Sequence, residues 1–98
     1  MKLIPQTVIK MTIIEKNGYC PVFKEGQEII IKKHCFDTNI NNNGKYCYAT
    51  LADVYPFYAK LRKEPIGTKS LFSCRDNGII KIELERMNDE IYNFENLD

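Results

Sequence analysis

Tryptophan is absent from this 98-residue chain, histidine occurs once, and no apolar run approaches the ~20 residues needed to cross a bilayer. The missing run excludes a membrane-spanning helix. The opening MKLIPQTVIK is a short apolar start interrupted by Pro5, unlike the charged-then-apolar pattern of a signal peptide, so a cytoplasmic protein is expected. The four cysteines, Cys20, Cys35, Cys47 and Cys74, allow three disulfide pairings, but only an oxidising compartment would sustain them. Reduced thiols are therefore expected. No C-x-x-C pair, phosphate-cradling glycine loop, H-E-x-x-H or nucleophile elbow is present. These absences remove the usual zinc knuckle, the nucleotide-binding loop, the zinc-protease helix and the hydrolase nucleophile turn.

What remains is ordinary in bulk. Ninety-eight residues suffice for one domain with a modest core, and 44% apolar and 28% charged residues are normal for a globular chain. The net charge of +1 is unevenly spread. Asp89, Glu90, Glu95 and Asp98 lie in residues 88–98 with no basic residue, leaving 14 basic against 9 acidic residues in the remainder. The expected division is a domain over 1–87 and an acidic C-terminal tail over 88–98. The tail reads as a solvated end, or else as a segment that packs on a basic surface through Ile91, Tyr92 and Phe94. The body is too weakly basic to favour a nucleic-acid partner.

Periodicity gives the elements. TVIKMTIIEK (7–16) is rich in β-branched residues with Ile9, Met11 and Ile13 on one face, and predicts a first strand. Asn17-Gly18 marks a turn, Pro21 and Gly26 punctuate a loop, and EIIIKK (28–33) predicts a second strand. FDTNINNNGK (36–45) is a polar, asparagine-rich loop. SLFSC (70–74) and IIKIELERM (79–87) predict the third and fourth strands, joined through the hairpin signal Asp76-Asn77-Gly78. In the last strand Ile80, Ile82 and Leu84 alternate with Lys81, Glu83 and Glu85, which means one buried and one wet face.

Between the strand pairs lies KYCYATLADVYPFYAKLRKEPIG (45–67). Cys47, Leu51, Val54, Tyr58 and Leu61 form an apolar stripe at helical spacing. The helix is expected over about 47–63, and the capping spacing of Thr50 and Asp53 gives the alternative of a regular start at Thr50. Pro56 removes a hydrogen bond to Ala52, so the stretch predicts two short helical pieces or one helix kinked near Tyr55–Pro56. The expected fold class is α+β: β-β-α-β-β, a mostly antiparallel four-stranded sheet covered on one face by a single kinked helix.

CPVFKEGQEIII, CYATLADVYPFYAKLR and CRDNGIIKIELERM together resemble the blocks of a family of small, uncharacterised, mostly prokaryotic proteins of about this length. In that family a Cys-Pro element precedes a turn and strand. A cysteine-led block then runs through Tyr-Pro-aromatic to Leu-Arg, and a Cys-x-Asp element precedes a last strand. The resemblance spans Cys20 to Arg86 and implies no activity, ligand or partner. It falls on Cys20, Pro21, Gly26, Cys47, Tyr55, Pro56, Leu61, Arg62, Cys74 and Asp76. The chain departs from the pattern at Lys63-Glu64-Pro65, where the family carries a glycine-rich turn, and His34 and Cys35 match nothing in it.

The candidate site residues are thus Cys20, Cys47, Tyr55, Pro56, Arg62, Cys74 and Asp76. Cys20 enters the second strand, Cys47 heads the helix and Cys74 ends the third strand, so the three can converge on one rim. Cys47 at a helix start, near Lys45, Arg62 or Arg75, has the setting of a low-pKa thiol. No general base accompanies it, because His34 stands at a strand end. The expected function is a non-enzymatic binding or accessory domain with a small-molecule or protein partner at this rim. The alternative is a thiol-redox protein or a metal protein, with zinc or an iron–sulfur cluster on Cys20, Cys47 and Cys74. The even spacing of 27 residues between successive members of that set speaks against the metal.

Overall fold

The computed structural model of the chain describes residues 3–32, 35–36, 47–75 and 78–93. Its elements follow in the order β1 (Leu3–Gln6), β2 (Val8–Lys16), β3 (Glu28–Lys32), β4 (Cys35–Phe36), α1 (Tyr48–Leu61), β5 (Lys69–Ser73), β6 (Ile80–Arg86) and β7 (Glu90–Asn93). The class is α+β. β2, β3, β5 and β6 are the four expected strands, and they form an antiparallel sheet in the order β4-β3-β2-β6-β5, with the two-residue β4 at one edge. β1 and β7 pair antiparallel as a separate ribbon, in which Pro5 stands opposite Ile91. Part of the acidic segment is therefore a strand, and Glu90 forms an ion pair with Lys32 at 2.9 Å. Pro5 is tolerated because a two-stranded ribbon is all edge.

Alternation decides which face is buried. Ile9, Met11 and Ile13 of β2 stand opposite Arg86, Leu84 and Ile82 of β6, and all of these are buried. Ile29, Ile31 and Phe72 extend the same layer onto β3 and β5. Each such aliphatic side chain, fully buried, stabilises the fold by about 1.5–3 kcal/mol. The opposite face is wet and carries cross-strand ion pairs: Lys10–Glu28, Lys10–Glu85, Lys69–Glu83 and Lys81–Glu15. Arg86 ends the inner row. It is buried, and its Nη1 bonds the Met87 carbonyl and Asp89 Oδ1, each at 2.7 Å.

α1 covers the β5–β6 side of the apolar face through Thr50, Val54, Tyr58 and Leu61. Three expectations about this helix are decided. It is one uninterrupted element with Pro56 inside it, the single-helix arrangement of the two expected. Ala52, whose carbonyl Pro56 cannot serve, is exposed like Pro56 itself, so water can satisfy the orphan carbonyl. The helix begins at Tyr48 with Cys47 as its N-cap, as the expected span of about 47–63 has it, and not at the alternative start Thr50. Thr50 is instead a third-position residue only 3% exposed, and it takes the place on the buried stripe that Leu51 was expected to hold.

Candidate functional site

Three segments meet at the N-terminal end of α1 and border a half-open cavity of about 180 Å³. The loop after β2 gives the wall from Tyr19 to Phe23, α1 gives Cys47, Ala49 and Thr50, and the β5–β6 hairpin gives Cys74, Arg75, Ile79 and Ile80. Cys20, Cys47 and Cys74, expected to share a rim, all line this one space. They are half-buried thiols, none of them in a disulfide.

Local chemistry places each wall. A register shift between Ile13 and Glu15 leaves Ile14 out of the β2–β6 pairing. A bulge of this kind re-aims the residues after it. Lys16 comes to lie opposite the inward-facing Ile80, and its Nζ holds the Cys20 carbonyl at 3.2 Å. Gly18 follows with φ +142°, a backbone conformation that favours glycine, and a Cβ there would only reach ordinary contact with Ile79 Cγ1 at 3.4 Å. Phe23 pins the far side of the loop in the core, and its amide donates to Cys20 Sγ at 3.5 Å. On the hairpin, the Cys74 amide donates to the Ile80 carbonyl at 2.9 Å while the Ile80 amide donates to Cys74 Sγ at 3.3 Å.

Cys47 is the electrostatic focus. A neutral thiol is a poor helix cap, and Sγ makes no full capping hydrogen bond. The first turn carries no acidic residue, so the sulfur sits at a positive helix end that its own turn does not neutralise. The Thr50 hydroxyl draws the Cys47 thiol below its ordinary pKa. The amides of Thr50 and Ala49 and the Arg75 charge add to the effect, while partial burial opposes it. Arg75 is itself gripped by Asp53, whose two carboxylate oxygens accept from Nε (2.7 Å) and Nη2. That pairing holds the Asp53 carboxyl below the usual carboxylate range and raises the guanidinium. The capping role expected for Asp53 is replaced by this clamp between helix and hairpin.

The other expected site residues lie apart. Tyr55 and Pro56 are exposed on α1, and Pro56 borders a different groove toward the C-terminal end of the helix. Arg62, at the helix C-cap, stacks its guanidinium 5.9 Å over the Tyr58 ring. Asp76, His34 and Lys45 lie outside the described residues. Among the described residues, no three histidine, cysteine or acidic side chains are grouped to hold a metal ion, so sharing a cavity does not make Cys20, Cys47 and Cys74 a ligand set. Thr50 is the site residue that sequence reasoning missed. Its third-position spacing from Cys47 was legible, but it was assigned to a cap of its own.

No protein-family model, curated protein or solved structure matches the chain. Among the described residues, no helix is long and apolar enough to cross a membrane.

Proposed function

We propose that the chain is a small-molecule-binding domain whose ligand occupies the cysteine-lined cavity. One observation carries this: three cysteines from three separate segments border a single half-open cavity. Apolar cavities of ~150 Å³ accept a benzene-sized guest, and this one holds about 180 Å³ with Val22, Phe23 and Ile80 in its walls. The expected ligand is therefore the size of one ring or a short branched chain, with a polar or soft end directed at Cys47 and Thr50. A reducing, cytoplasmic setting belongs to the same proposal, because it keeps the thiols available.

Indole is a suitable probe. Titrated into 15N-labelled protein, it is expected to shift the amides of Thr50, Cys74 and Ile80 in a saturable way, and to lose this effect once Cys47 is alkylated. Shifts that are absent, or spread evenly over the wet sheet face, would remove the proposal.

A further inference from the structure

A binding cavity alone does not require what surrounds this sulfur. Cys47 stands at an uncapped helix start, beside a hydroxyl whose residue is 97% buried and a guanidinium held in place by Asp53, with two more sulfurs on the same walls. A hydroxyl and a guanidinium fixed beside a reacting sulfur are preorganised to stabilise the alkoxide that leaves when the sulfur attacks a peroxide. The remaining walls are apolar, which favours a peroxide with a hydrocarbon body over hydrogen peroxide. From this arrangement, and resting on the binding role proposed above, we infer that Cys47 is an acceptor site for small organic hydroperoxides. The sulfur attacks the terminal peroxide oxygen, forming an S–O bond as the O–O bond breaks. The thiolate is oxidised by two electrons to a sulfenic acid, and the peroxide is reduced to an alkoxide that takes a proton from water. Cys20 or Cys74 then supplies a thiol that condenses with the sulfenic acid, releasing one water and leaving a disulfide.

Cys47 is the reacting group and Thr50 is a positioning residue. The test uses the full chain, reduced and desalted, with cumene hydroperoxide or hydrogen peroxide in the presence of dimedone, followed by peptide mass spectrometry and stopped-flow kinetics. The first product is expected at Cys47, as a dimedone adduct or as a disulfide to Cys20 or Cys74. It should form about tenfold or more faster than with free cysteine at neutral pH, and faster with cumene hydroperoxide than with hydrogen peroxide. A rate equal to free cysteine, a first adduct at Cys20, Cys35 or Cys74, or a preference for hydrogen peroxide overturns the inference.

Thr50→Val keeps the shape and removes the hydroxyl. Its pH–rate midpoint for Cys47 alkylation should move to higher pH and return with Thr50→Ser; an unmoved midpoint in Thr50→Val removes Thr50 from the mechanism. Indole shifts without fast oxidation would overturn the peroxide chemistry and leave the binding role. Fast oxidation without indole shifts would overturn the binding role instead.

Discussion

The N-terminal end of α1 borders a cavity of about 180 Å³, and its C-terminal half borders a groove of about 500 Å³. The groove runs between Pro56, Phe57, Lys60 and Leu61 of the helix and Thr68, Lys69 and Ser70 at the start of β5. It is the larger space, yet its charges are of both signs and Lys69 is already directed at Glu83. Its aromatic floor is occupied by the Phe57–Phe72 edge contact, with ring centres 5.4 Å apart. The smaller cavity gathers three sulfurs, a buried hydroxyl and a fixed guanidinium. Size records where helix and sheet diverge. The convergence of reactive groups is what supports the smaller cavity as the proposed site.

Substitutions can break this contrast, and the largest effect is expected under the groove. Leu61→Ala removes a buried anchor and should cost about 2–5 kcal/mol in chemical denaturation. The Cys47 alkylation rate of the folded variant should not change; a change would show that the two ends of the helix are coupled. Gly18→Ala comes next, at about 1–3 kcal/mol, because a side chain there is strained at φ +142°. Unlike Leu61→Ala it should also weaken the indole response, since relieving that strain shifts the loop carrying Cys20. An intact response would detach the loop from the site.

Asp53→Asn tests the clamp through pH. Asp53 has a lowered pKa in the folded protein, so its contribution to stability is complete above the ordinary carboxylate range. That contribution disappears as pH falls through the lowered value. The wild-type and variant denaturation midpoints should therefore differ at neutral pH and converge in acid; a constant offset would contradict the clamp. Freed from Asp53, Arg75 should also move the Cys47 alkylation profile to lower pH. The smallest effect belongs to the wet face. Lys10→Gln removes partly exposed pairs to Glu28 and Glu85 and should cost at most about 1 kcal/mol, less in high salt, with Cys47 untouched.

The fold was legible where a local pattern has one cheap solution. Ile80, Ile82 and Leu84 against Lys81, Glu83 and Glu85 can satisfy both faces only as a strand with one side buried. The stripe Val54, Tyr58, Leu61 likewise needs a helix. Ambiguity and error came where local cost depends on surroundings. Pro56 left two arrangements open, two pieces or one helix, because the cost of its missing bond depends on whether Ala52 faces water. β1 and β7 were missed because each is short and, without the other, has no pairing partner; the contact spans nearly the whole chain.

At the site, the sequence alone determined the chemical inventory: three thiols at element ends, one of them heading a helix, and no histidine base nearby in sequence. Spacing of 27 residues says nothing about distance, since antiparallel pairing can bring chain-distant ends together or hold them apart. Only the tertiary structure brought Cys20, Cys47 and Cys74 to one cavity. It chose Arg75 over Arg62 as the cation near Cys47, and turned Thr50 inward beside the sulfur. The physical reason is that thiol reactivity depends on the charges and hydrogen-bond donors within a few ångströms, and the packing of α1 on the β5–β6 hairpin sets those neighbours.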